Sequence, residues 1–198
     1  SLFLFSYLDR SPYYQVDPLS QPPQSLTLDE LHSRVVSYGF TTSFDYRGSI
    51  FRAEIVKTQN RNYANVANSS IGYFTADENV YVIGVDLPAF KKTNVGIQYS
   101  DNAITSYPSV ALRPQDESLA SIRISRPFFR THTAQILYAD QFSDKGSLFQ
   151  FEYVIPIRDN FEIKLGGDLF SGPSTSQFGE IQRASRLYTI FKFWFAKT

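Results

Sequence analysis

Apolar and polar residues alternate along most of the chain. The clearest run is Ser185-Arg186-Leu187-Tyr188-Thr189-Ile190-Phe191-Lys192-Phe193-Trp194-Phe195. Leu187, Phe191, Phe193 and Phe195 fall on one face with Thr189 between them, and Arg186, Tyr188, Ile190, Lys192 and Trp194 fall on the other. A period of two is the mark of a β-strand. The pattern recurs upstream. Residues 161–170 set Phe161, Ile163, Leu165, Gly167 and Leu169 against Glu162, Lys164, Gly166 and Asp168, and 148–157 set Phe149, Phe151, Tyr153, Ile155 and Ile157 against Leu148, Gln150, Glu152 and Val154. Residues 131–141, 118–126, 94–100, 79–88, 49–58 and 34–46 follow, and Leu2 to Leu8 reads as the end of one more strand. The pattern predicts an all-β chain of about ten strands, each about ten residues long. At ~3.3 Å per residue and a tilt near 40°, such strands rise ~25 Å, the height of the apolar band of an outer-membrane barrel.

The connections carry a second pattern. Those at 47–48, 88–93, 127–130 and 158–160 are short. Those at 9–33, 59–78, 101–117 and 171–185 are long and rich in Ser, Asn, Asp, Gln and Pro, with 142–146 a short exception. Short turns on one side and long loops on the other are expected of a transmembrane β-barrel with its turns in the periplasm. Within 9–33, Pro18, Pro22 and Pro23 predict irregular extended chain. Thr27-Leu28-Asp29-Glu30 has capping-box spacing, which predicts about one helical turn through Leu28, Leu31 and His32.

Composition fits this reading. Aromatics make up 16% of the 198 residues, 18 Phe and 13 Tyr against one Trp, more than a globular core needs. Mean hydropathy is −0.24, and no stretch approaches the roughly 18 consecutive apolar residues of a spanning helix, so a helical membrane protein is excluded. Alternation lets a membrane barrel look soluble on average. The formal net charge is zero, 19 basic against 19 acidic residues, without the clustered positive patch of a nucleic-acid binder. With no Cys, disulfides and thiolate metal sites are out. Ser1 opens directly onto Leu2-Phe3-Leu4-Phe5, which lacks the length and basic start of a signal peptide.

Several segments resemble the C-terminal portion of a poorly characterised family of Gram-negative outer-membrane β-barrel proteins with porin-like architecture. They are Gly166-Gly167-Asp168-Leu169-Phe170-Ser171-Gly172, Phe178-Gly179, Arg186-Leu187-Tyr188 with the aromatic closing strand, Phe51-Arg52-Ala53-Glu54 leading to Asn60-Arg61, and Tyr81-Val82-Ile83-Gly84-Val85-Asp86. Ala196-Lys197-Thr198 follow Phe195 here, whereas such barrels mostly end on the aromatic residue. The resemblance implies an antiparallel up-and-down transmembrane β-barrel, either closed with about ten strands or the C-terminal part of a larger barrel. The family's greater length leads to the expectation that residues 1–198 are one barrel domain from a longer chain. It also implies an outer-membrane channel for passive diffusion of small solutes, with uptake of hydrophobic compounds suggested for relatives. Partners would be outer-membrane lipid, the solute, and the barrel-assembly machinery, which would recognise the C-terminal aromatic strand. No cofactor is expected, and no enzymatic activity. The fold alone supplies no substrate.

The charged residues on the polar faces are Arg52, Glu54, Asp86, Arg123, Glu152, Glu162, Lys164, Asp168, Arg186 and Lys192. As pore-lining groups they would set solute preference; as cross-strand pairs they would only satisfy one another. The long loops 9–33 and 171–185 are candidates for a constriction. Tyr46, Phe128, Phe129, Phe161 and Phe195 near the short-turn ends would form an interfacial girdle. Two readings of another class stand beside the channel. One is a soluble all-β ligand- or carbohydrate-binding module, with Tyr63, Tyr73 and Phe74 as an aromatic platform. The other is an outer-membrane hydrolase using His32 with a carboxylate or hydroxyl of a neighbouring strand; His132 is the only other imidazole. No ligand spacing points to a metal site, and Asp101, Asp116 and Glu117 are the one weak Ca²⁺ candidate.

Overall fold

A computed structural model of the chain describes residues 1–16, 28–67, 70–89, 92–108, 114–129 and 131–195. The strands are β1 (Leu2–Leu8), β2 (Tyr13–Val16), β3 (Leu28–Leu31), β4 (Arg34–Tyr46), β5 (Ser49–Ala67), β6 (Ser70–Ala89), β7 (Thr93–Ile104), β8 (Asp116–Phe128), β9 (His132–Gln141), β10 (Gly146–Arg158), β11 (Phe161–Ser171) and β12 (Arg186–Phe193). A four-residue helix, α1 (Gln177–Glu180), and a 3-10 turn at Gln182–Ala184 lie between β11 and β12. Ten strands form one antiparallel sheet in the order β1-β4-β5-β6-β7-β8-β9-β10-β11-β12, and β2 pairs with β3 separately. Set the small hairpin aside and each strand lies beside its sequence neighbour. The all-β class, the strand number and the up-and-down order agree with the alternation.

Closure does not. Among the described residues no ladder joins β1 to β12, and the ten-stranded sheet is open. Alternation reports which face a side chain takes; it says nothing about which strand an edge will pair with. The closed ten-stranded form is therefore corrected to an open sheet.

Two further expectations change. Residues 59–78 are not a loop: β5 runs to Ala67 and β6 starts at Ser70. Asn60 inside β5 has φ +61°, a conformation that Asn tolerates better than most residues. Buried Thr58 and buried Tyr63 lie on opposite sides of it at an odd spacing, so the alternation changes phase at Asn60 and hides the strand's continuation. Residues 28–31 are not a helical turn but β3, because pairing with β2 satisfies more backbone groups than one isolated turn. Thr27 and the three prolines lie outside the described residues.

The chain forms two compact units: Ser1–Thr42, Ala53–Val82 and Asp101–Glu117 make the first, and Ser43–Arg52, Ile83–Ser100 and Ser118–Thr198 the second. In the first, Tyr63, Ala76 and Ile104 form a small buried apolar cluster with Phe74 and Tyr107 against it. In the second, the β8–β12 ladders carry two unbroken faces. Ile124, Ile136, Phe151, Gly167 and Leu187 are successive partners in one row, and Ile122, Tyr138, Phe149 and Leu169 in the next. The opposite face carries Ser125, Gln135, Glu152, Gly166 and Tyr188 in one row, and Arg123, Leu137, Gln150, Asp168 and Arg186 in another.

The short turns have the backbone their positions demand. Arg47 and Gly48 both have positive φ, as a type I′ hairpin turn requires, and the Gly48 amide donates to Asp45 Oδ1 at 3.1 Å. After β11, Ser176 caps α1: its Oγ accepts from the Gly179 amide at 3.0 Å and donates to the Pro173 carbonyl at 2.8 Å. This segment lies against the β9–β10 turn, where a Cβ on Gly146 would stand 2.9 Å from Ser176 Oγ.

Candidate functional site

In the second unit the polar face carries charges in cross-strand groups. Arg52 Nη2 on β5 lies 2.6 Å from Asp86 Oδ2 on β6, and Arg123 Nη2 on β8 lies 3.6 Å from Asp86 Oδ1. The bridge from Asp86 to Arg123 passes over Gly96 of β7. A Cβ there would meet Asp86 Oδ1 at 2.8 Å and Arg123 Nη2 at 3.6 Å, so the absence of a side chain makes room for the contact.

Further along, Lys164 Nζ is 3.0 Å from Glu152 Oε2. Asp168, buried on β11, accepts from Gln150 Nε2 at 2.7 Å and from Arg186 Nε at 2.9 Å. Both donors are its ladder partners on the flanking strands. Arg186 also lies over the Tyr188 ring, 5.3 Å from its centroid, and that ring covers Gly166, whose missing Cβ leaves it space. Glu162 stands opposite Lys192 in the β11–β12 ladder, and Lys192 Nζ sits 4.8 Å from the Trp194 ring.

Of the ten charged residues singled out from the sequence, seven thus join ion pairs: Arg52, Asp86, Arg123, Glu152, Lys164, Asp168 and Arg186. Glu54, in the first unit, is exposed and outside the ion pairs among the described residues. Pairing does not hide these side chains: Arg52, Arg123 and Arg186 are 54, 53 and 69% exposed.

The first unit holds a charged node that the sequence reading missed. Arg61 on β5 grips Asp9, just past β1, through Nε to Oδ2 at 2.5 Å and Nη2 to Oδ1 at 3.1 Å. Its Nη1 bonds Glu78 of β6, and Asn102 Nδ2 of β7 donates to Glu78 Oε1 at 2.7 Å. Asp9 and Glu78 are both buried. Burial pushes the Asp9 carboxyl up, but hydrogen bonds from Arg61 and the Ser11 amide, with the Arg61 charge, more than offset this and hold it below its ordinary value. The same unit holds a hydroxyl chain: Tyr7 Oη and Ser37 Oγ are 3.0 Å apart, and Ser37 Oγ and Thr58 Oγ1 2.7 Å. Nothing in the spacing of Asp9, Arg61, Glu78 and Asn102 announces the node, because the alternation changes phase at Asn60, whose φ is +61°.

Each histidine is held through its Nδ1. His32 Nδ1 donates to the Asp9 main-chain carbonyl at 2.7 Å, and its Nε2 is 3.6 Å from Glu30, beyond hydrogen-bond reach. The Asp9 carboxylate is already held by Arg61. His132 Nδ1 bonds the Tyr153 hydroxyl at 2.8 Å. Among the described residues no three His, Asp or Glu side chains are grouped to hold a metal ion, so Asp101, Asp116 and Glu117 do not form the Ca²⁺ site considered above. Tyr63 and Phe74 stack inside the small apolar cluster and offer no open platform, while Tyr73 pairs with Tyr13, ring centroids 4.5 Å apart.

The apolar face is bare. Phe149, Phe151, Ile136, Tyr138, Ile122, Ile124, Leu165 and Leu169 are all exposed. At the short-turn ends Tyr46, Phe128, Phe129 and Phe195 are exposed as well, with Arg47 over the Tyr46 ring and Arg126 over the Phe128 ring. Buried side chains run the other way: among the described residues six are apolar and eight are polar or charged. No protein-family model matches the chain, and neither a curated protein nor a solved structure does.

Proposed function

We propose that the chain forms wall of a porin-like β-barrel in a bacterial outer membrane and serves as a passive channel for small solutes. One observation carries this reading. Row after row of Phe, Ile, Leu and Tyr stays exposed on one face of the sheet, while the buried side chains among the described residues are more often polar than apolar. In water such a face would bind another surface or aggregate; hydrocarbon covers it without cost, and a hydrated lumen suits the charged face. The barrel is then larger than these ten strands, whose sheet is open. Lipid contacts the apolar face, the aromatic closing strand engages the assembly machinery, and the charged face solvates the permeant during facilitated diffusion.

A soluble binding module needs a second sheet over the Phe149 and Ile136 rows. The only other sheet among the described residues is the β2–β3 hairpin, four residues per strand, in the first unit. Purification with and without detergent tests the proposal. The expected result is a folded, monodisperse β-protein only in detergent or lipid. A folded monomer in detergent-free buffer overturns it.

A further inference from the structure

We propose that Arg52 and Arg123 form a binding position for the carboxylate of a small anionic solute, with Asp86 as the tether that aims them. The inference rests on the channel reading and names the solute class that its polar face favours. Two guanidinium groups share one carboxylate here. Arg52 holds Asp86 Oδ2 closely at 2.6 Å, whereas Arg123 reaches Oδ1 only at 3.6 Å. Asp86 is the single carboxylate within ion-pair distance of Arg123 among the described residues, so the group keeps one net positive charge. Two other cations of this face each have a carboxylate to themselves: Lys164 is matched by Glu152, and Arg186 by Asp168.

Exposure and space point the same way. Both guanidinium groups are about half exposed while Asp86 is 26% exposed, so the donors rather than the acceptor face outward from the sheet. Gly96 lies beneath them without a side chain. Each guanidinium presents five donors in a planar fork, and one carboxylate leaves most of them unused. A second carboxylate, brought by the solute, would complete the arrangement with parallel charge-assisted bonds.

The test is the reversal potential of the full chain in planar bilayers under a KCl gradient, repeated with added benzoate as a competing carboxylate. Arg123→Gln is expected to lower the anion-to-cation permeability ratio about two-fold, the weight of one unit charge several ångströms away in water, and to weaken the benzoate effect. Asp86→Asn is expected to raise the ratio by a similar factor. The charge-neutral double change Glu152→Gln with Lys164→Gln is expected to leave it unchanged. Opposite shifts from Arg123→Gln and Asp86→Asn support the anion position, since a merely structural triad would respond alike to both losses. Conductance with no shift, or with shifts of the same sign, overturns the inference and leaves the channel intact. Absence of any conductance from folded protein removes the channel reading itself.

Discussion

Asp168 and Arg186 face each other directly across the β11–β12 ladder, with Arg186 Nε 2.9 Å from Asp168 Oδ2. The two ends of this pair differ in what they stand to lose. Asp168 is buried and also accepts from Gln150, whereas Arg186 is 69% exposed. Asp168→Ala therefore deprives the Gln150 amide and the guanidinium of their acceptor, at a cost of about 1–3 kcal/mol. Arg186→Ala gives up an exposed partner and should cost under about 1 kcal/mol. Urea unfolding followed by circular dichroism separates them; equal losses would mean that burial of Asp168 adds nothing.

Arg61 is the keystone of the first unit's charged node. Arg61→Met removes a cation that bridges two buried carboxylates, Asp9 and Glu78, and should cost about 3–5 kcal/mol. Arg61→Lys should recover less than half of that, because an ammonium cannot reproduce the two-point grip on Asp9. Full recovery by lysine would reduce the node to simple charge neutralisation.

Asp9 gives the node a pH dependence of definite sign. Its carboxyl lies below the ordinary value of 3.8, and a depressed folded-state value stabilises the fold at every pH above that ordinary value. The stabilisation fades as pH falls below 3.8 towards and through the folded value. Asp9 follows β1 and lies outside the segments read as spanning. Denaturation midpoints measured from pH 6 down to pH 2 should drop steeply below about pH 4. In Asp9→Asn that portion of the drop should be missing, with the midpoint already lower at pH 6. An identical pH profile in the variant would dissociate Asp9 from the acid transition.

These groups also mark how far the sequence could be read. Which face Phe149, Phe151 or Glu152 occupies follows from alternation alone, and the β8–β12 ladders bear it out row by row. Which charges meet does not follow, since Arg52 and Asp86 become neighbours only through strand register. The node was invisible for a different reason. Asn60 adopts positive φ within β5, so Arg61 and Tyr63 change face without any change in composition. Edge pairing left no trace either, because β1 and β12 alternate whether or not a strand lies beside them.

Gly166 and Gly84 offer a contrast within one sheet. A Cβ on Gly166 would occupy the place of the Tyr188 ring, whereas one on Gly84 would make only ordinary contact, 3.4 Å from the Ile97 carbonyl oxygen. Gly166→Ala should destabilise by about 1–3 kcal/mol, and Gly84→Ala should be nearly neutral. Adding Tyr188→Ala to Gly166→Ala should cancel part of the loss, a coupling between two contacting sites. Strict additivity in that cycle would show that Tyr188 can leave Gly166 freely.

Ile136 and its neighbour Gln135 put the membrane assignment to its sharpest test. They point to opposite faces of β9: Ile136 shares a row with Ile124 and Phe151, and Gln135 lies opposite Glu152. Ile136 is 42% exposed. In a water-soluble protein, replacing an exposed isoleucine by arginine costs little, typically within about 0.5 kcal/mol. In a bilayer the same change puts a charge into hydrocarbon and costs about 2–4 kcal/mol near the midplane. Gln135→Arg gains a carboxylate partner in Glu152 and should be tolerated in either setting. Folding into phosphatidylcholine vesicles, titrated with urea, should therefore show a large loss for Ile136→Arg and little for Gln135→Arg. If both arginines are accepted equally, the exposed apolar rows do not face lipid, and neither the channel nor its anion position survives.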